Sequence, residues 1–246
     1  MEYPCFMTME MGDVESDFAY LAVDESGAVV EEPWDNGLKL AAVSKGSMYL
    51  RSRKLRGSSD LWVTEASSED IAVNVYVTES RLIFYCREWK RYKGTGLGLL
   101  VAAGMNAVHS SRTKNMVMAG QIRYEWLRDI GFVRKQGWLS DESLDFEYLD
   151  TSDQKWSIRL NFPKGTDTQR IANNIAKKTA LYRLAMTDEK DDAEIESYAG
   201  YANGREIKVV DPKEFSYVTF EMVYKAPSGI EWRPDPARLR MLGNQV

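Results

Sequence analysis

Val75-Tyr76-Val77-Thr78-Glu79-Ser80-Arg81-Leu82-Ile83-Phe84-Tyr85 is the stretch that decides how this chain folds. Val73, Val75 and Val77 alternate with Asn74, Tyr76 and Thr78, the period of two that a strand imposes on its side chains. Glu79-Ser80 is a short polar break. Leu82-Ile83-Phe84-Tyr85-Cys86 then resumes with β-formers, apolar enough for a strand covered on both faces or near the centre of a sheet. The whole reads as a β-hairpin at the centre of a mainly β domain.

Working outward, the same periodicity returns twice. Leu144, Phe146 and Tyr148 share one face of a strand, and Trp156 to Phe162 alternates as cleanly, so the two predict a hairpin across Thr151-Ser152-Asp153. Pro163 to Asp167 then opens a helix over residues 167–186, with Thr166 or Asp167 as its cap. Ile171, Ile175, Thr179, Tyr182 and Met186 form its apolar stripe. Upstream, two short strands are expected between Leu38 and Val63, with the basic run Arg51 to Arg56 between them. Phe18 to Val23 reads as strand or short helix, Met116 to Gly120 as strand, and Gln121 to Phe132 as strand or short helix. Residues 1–17 read as an acidic arm. At the far end, Asp188 to Glu194 reads as an acidic linker and Asn203-Gly204 as a hairpin turn. Ile207 to Val210 and Tyr217 to Tyr224 read as further strands.

Composition sets bounds. Of 246 residues, 44% are hydrophobic, enough to bury a core. The opening Met-Glu-Tyr-Pro-Cys-Phe lacks the basic start and apolar run of a secretory signal. Cys5 and Cys86 form no CxxC pair, so neither a disulfide framework nor a zinc site is expected, and a cytoplasmic location fits. Residues 1–40 carry ten acids and one base, residues 41–135 sixteen bases and eight acids. A basic middle thus lies between acidic ends. It can meet anionic partners or the chain's own acids.

Strands, a V-Y-V-T-x-x-R-L-I-F-Y hairpin, more strands and one terminal amphipathic helix resemble GRAM-type and bacterial pleckstrin-homology-like domains. Tyr76, Val77, Thr78, Arg81, Leu82, Ile83 and Phe84 carry the resemblance, which covers residues 18–186. It implies two bent antiparallel sheets closed by one C-terminal amphipathic helix, residues 167–186. Residues 94–120 depart from it as a helical insertion, and 187–246 as a C-terminal β extension. Such scaffolds host lipid binding, peptide binding and plain assembly, so the resemblance implies little about function.

Catalytic constellations are sparse. The single histidine, His109, reads as a helix C-terminal residue. Asp188 to Glu196 reads as a solvated linker rather than a metal site. Gly94, Gly96 and Gly98 match neither a P-loop nor a dinucleotide fingerprint. Arg91-Tyr92-Lys93-Gly94-Thr95-Gly96 does match the R-x-x-G-x-G loop of acetyltransferases, a coenzyme A reading kept as an alternative. Otherwise no cofactor is expected.

The most informative surface runs from Arg87 to Ser111. Arg87, Trp89, Lys90, Arg91, Tyr92 and Lys93 mix bases with aromatics. Gly94 to Ser111 then carries no formal charge and includes Leu97, Leu99, Leu100 and Val101. A helix apolar all round must be buried, in the fold, in a homo-oligomer or against a protein partner. The basic, aromatic run instead suits an anionic membrane surface. Nucleic acid fits poorly, because the sequence pI is about 5.2. A non-catalytic interaction or scaffold module is the expected function, with peripheral membrane binding as the alternative.

Overall fold

The computed structural model describes residues 2–3, 6–10, 40–44, 48–56, 58–68, 73–87, 90–91, 116–133, 142–186, 192–211, 214–220 and 224–226. They form two antiparallel sheets and two helices. A six-stranded sheet has the order β1 (Glu2–Tyr3), β2 (Phe6–Glu10), β9 (Met116–Arg123), β7 (Arg81–Arg87), β6 (Val73–Val77) and β3 (Leu40–Ser44). A seven-stranded sheet has the order β13 (Ser216–Thr219), β10 (Leu127–Val133), β11 (Glu142–Leu149), β12 (Lys155–Phe162), β4 (Met48–Arg56), β5 (Ser59–Ser67) and β8 (Lys90–Arg91). Helix α1 is Thr168–Met186 and helix α2 is Asp192–Ala202.

The hairpin of residues 73–87 is interior to its sheet, with β3 on one side and β9 on the other. Val73, Val75 and Val77 are buried, and Asn74 and Tyr76 half-buried, as the alternation requires. Thr78 makes the turn. Its hydroxyl accepts the amides of Ser80 (3.1 Å) and Arg81 (2.9 Å) and donates to the Arg81 carbonyl (3.0 Å). One side chain thereby satisfies three backbone groups in a turn whose Thr78, Ser80 and Arg81 are buried.

β11 and β12 pair from Glu142↔Phe162 to Leu149↔Lys155. Leu144, Phe146, Tyr148, Ile158, Leu160 and Phe162 enter the core, where Phe84 of the other sheet meets Phe146 at 6.1 Å between ring centroids. Asp150 closes the turn between them: its carboxylate accepts the Ser152 and Gln154 amides and the Trp156 indole N–H. Helix α1 is capped by Asp167, which accepts the Arg170 amide at 3.1 Å. Its Ile175, Thr179 and Tyr182 are buried against β10 and β11.

Several expectations change. Within the expected acidic arm, β2 pairs with β9 from Phe6↔Gly120 to Glu10↔Met116 and satisfies that strand's outer backbone groups. The basic run lies within β4 rather than between strands, since Arg51 is drawn onto a buried carboxylate of the same sheet. Asp192 and Glu194 begin a helix instead of a linker, acids being favourable at a helix N-terminus. Gly204 ends that helix with φ +92°, in the left-handed conformation common at this position, so Asn203-Gly204 is no hairpin turn. Ile207 is buried outside any strand and donates its amide to the Asn173 side chain at 3.0 Å. Of the last expected strand, Tyr217 to Thr219 forms, as part of β13, which joins β10. Residues 18–23 and the insertion at 94–111, including His109 and the Arg91–Gly96 loop beyond Arg91, lie outside the described residues. Among the described residues no helix is long and apolar enough to cross a membrane.

Replacing Thr78 with Val keeps the shape and strands two buried amides. We expect a loss of about 2 kcal/mol in denaturant unfolding. Glu79→Ala, which removes a half-exposed ion pair with Lys178, is expected to cost no more than about 1 kcal/mol in the same assay.

Candidate functional site

The alternation that buries Leu144, Phe146 and Tyr148 turns Asp145 and Glu147 to the opposite face of the seven-stranded sheet. Register then decides their neighbours. Asp145 stands opposite Gly131 of β10 and Arg159 of β12. Glu147 stands opposite Asp129 and Ser157, and Ser157 opposite Arg51 of β4. The outcome is a row of charged and hydroxyl side chains crossing four strands.

Asp145 is its anchor, only 1% exposed. It accepts Arg51 Nη2 at 2.5 Å and 2.8 Å on its two oxygens, Arg159 Nη2 at 2.7 Å, and the Ser157 hydroxyl. Arg51 Nη2 also donates to Ser157 Oγ at 2.6 Å. A carboxylate so surrounded ties β4, β11 and β12 together.

Aromatic rings frame the row. The guanidinium carbons of Arg51 and Arg53 each lie 5.1 Å from the Trp62 ring centre. On the other side Arg159 packs 4.4 Å over Phe215, which stacks on Tyr217 at 5.5 Å. Tyr217 lies flat across Gly131: a Cβ there would come within 2.4 Å of its ring, so only glycine permits the approach.

Electrostatics separates the two acids. Glu147 has no hydrogen bond or ion pair among the described residues. Burial, then the charges of Asp129 and Asp145, push its carboxyl up to about 7, with Arg51 and Arg53 pulling the other way. Burial and the same acidic neighbourhood raise the Tyr217 phenol, so it stays protonated at neutral pH. Burial draws the Arg51 guanidinium down from its usual range, and Asp145 opposes that. Glu147 is therefore an acid on this face that exchanges its proton near neutrality. Among the described residues no group of three His, Cys, Asp or Glu is placed to hold a metal ion.

The surface expected from the sequence is elsewhere. Arg87 ends β7, inside the six-stranded sheet, while Lys90 and Arg91 form β8 at the rim of the other sheet, opposite Ser67 and Ala66. The backbone thus changes sheets within this short run. Trp89, Tyr92, Lys93, Leu97, Leu99, Leu100 and Val101 lie outside the described residues. Sequence reasoning passed over Asp129, Asp145 and Glu147. The signal was present: two acids on the off-face of an alternating strand, with a serine and an arginine on the off-face of its partner.

Compared with known proteins, the chain matches no family model, and no match to a curated protein or a solved structure was found.

Asp145→Ala would leave two arginines without their shared counter-charge, Arg51 being buried. We expect a loss of about 3–5 kcal/mol of stability by urea denaturation, with Asp145→Asn intermediate.

Proposed function

We propose that the chain is a non-catalytic, cytoplasmic interaction module that self-associates through the apolar segment 94–111. One observation carries this reading. β7 and β9 are neighbours in the six-stranded sheet, with Arg87 directly opposite Val117, yet residues 88–115 lie between their facing ends. Antiparallel neighbours are usually joined by two to five residues. A connection of this length in such a place is an insertion, and long insertions on a rigid framework commonly carry function. This one has no formal charge from Gly94 to Ser111 and so no polar face to offer water. Two antiparallel sheets with α1 packed on β10 and β11 also support the pleckstrin-like reading of the scaffold.

A second reading, docking on an anionic membrane, draws support from β8. Lys90 and Arg91, within the basic, aromatic run, form the edge strand of the seven-stranded sheet, and bases and aromatics in one run suit an anionic surface.

Light scattering and sedimentation at increasing concentration test the first reading. The wild-type chain should sediment as an oligomer, and Leu100→Glu or Val101→Glu as a monomer with an unchanged circular dichroism spectrum. A wild-type monomer at high concentration, with Leu100→Glu tolerated, would sink the proposal. Flotation with phosphatidylserine vesicles at low salt decides the second reading, and absence of flotation removes it.

A further inference from the structure

The outer face of the seven-stranded sheet holds a carboxylate arrangement that the interaction reading does not use. Asp129 of β10 stands directly opposite Glu147 of β11 on one side and Thr219 of β13 on the other. Side chains at directly opposed antiparallel positions are near neighbours, about 4.5–5.5 Å apart at Cβ, and two like charges there destabilise the pairing. Asp129 is engaged: the Thr219 hydroxyl donates to it, and Arg128 Nε lies 3.6 Å from it. Glu147 has no such partner among the described residues, though it is half-buried.

We propose that the Asp129–Glu147 pair is a proton switch that governs how firmly edge strand β13 is held to β10. β13 is four residues long and sits at the sheet's edge. Its described ties on this face are the Thr219 hydroxyl on Asp129 and the Tyr217 ring over Gly131. Beyond it, the Phe220 amide donates to the Arg128 carbonyl at 2.7 Å. Besides its backbone ladder to β10, the strand is therefore held on this face through Asp129, and Asp129 faces Glu147.

The full charge environment sets the sign. Glu147 is faced by Asp129 from β10, Asp145 from its own strand, Tyr217 from β13, Lys155 and Arg159 from β12, and Arg51 and Arg53 from β4. Arg51 and Arg159 are committed to Asp145, and Arg53 pairs with Asp60 at 2.9 Å. Three of these four cations are thus engaged with other acids, and the fourth, Lys155, is exposed. With its proton on, Glu147 is neutral and able to donate towards the Asp129 carboxylate. With its proton off, two facing carboxylates repel, and the cheapest relief is for Asp129 and the strand tied to it to move outward. The folded carboxyl titrates above its ordinary value of 4.5. Its stabilising effect is complete below that value and is lost as pH rises through about 7.

Amide hydrogen exchange on the full chain tests this, read as protection factors so that the intrinsic pH dependence of exchange is removed. Between pH 6 and pH 8 we expect protection of the β13 amides and of Phe220 to fall several-fold, while α1 amides such as Ala176 change little. In Glu147→Gln, protection at pH 8 should stay at the wild-type pH 6 level. Asp129→Asn, which keeps an oxygen for Thr219 but removes the opposing charge, should abolish the pH dependence in the same way and stands in if the first variant does not fold. An undiminished wild-type protection at pH 8, or the same fall in a folded variant, overturns the proposal.

Discussion

The two sheets are joined where the chain turns from β9 to β10, and that joint depends on Tyr124. Its side chain is fully buried. The phenol donates to the Thr78 carbonyl at 2.8 Å, and its amide donates to the Ser80 carbonyl at 3.1 Å. Both acceptors belong to the turn of the central hairpin. Its own carbonyl accepts Arg183 of α1 through Nε and Nη2, each at 3.1 Å, and Arg183 also reaches the Leu127 carbonyl. One residue therefore holds the hairpin turn, the crossover between sheets and the helix to each other. Glu125 adds a further layer, accepting the Tyr182 hydroxyl on its side chain and the Tyr224 amide on its backbone. Carbonyls turned inward at a tight turn would be costly if left bare. The buried guanidinium of Arg183, packed 5.1 Å over Phe220, fits that need because its planar fork spans acceptors that a lysine would meet as a single point.

The seven-stranded sheet solves a different problem. One face belongs to the core, and the other carries Arg51, Asp145, Ser157 and Arg159 in nearly complete burial for the first three. Ionised side chains away from water are tolerated only when they satisfy one another. The register accomplishes this by setting Asp145 between arginines of β12 and β4. A slip of one residue in any of these strands would turn its charged members into the core. The charges thus contribute specificity of register at least as much as stability.

Much of this was legible in the sequence, for identifiable reasons. Period-two alternation located β6, β11 and β12, and the period of α1 located the helix, because in each case one face is apolar and the other is not. Thr78 and Arg81 stood out in the quoted stretch, though only the folded chain shows the threonine hydroxyl closing the turn. Legibility failed where a local signal had two meanings. Asn203-Gly204 suits a hairpin turn and a helix end equally, and the choice fell to the helix that precedes it. The acids near the N-terminus spoke for solvent, whereas β2 is fixed by pairing with a strand more than a hundred residues away. The charged face was half-visible: alternation placed Asp145 and Glu147 together, but Asp129 and Arg51 arrive through long-range register that no local pattern encodes.

The two edges of the seven-stranded sheet therefore have different characters. At one, β13 is short and tied through an acid that faces another acid. At the other, β8 is where the chain leaves for its uncharged insertion. Between them lies the Asp145 clamp, binding β11, β12 and β4 with charge-assisted bonds to a buried Arg51 and a half-buried Arg159. Coupling between distant sites needs an element with two arrangements that both sites bias. The clamp has one good arrangement, since moving any member strands a buried charge. An event at β13 should accordingly stop at β11. On this construction the proposed proton uptake at β13 and the proposed association through the insertion are separable, each adjustable without disturbing the other.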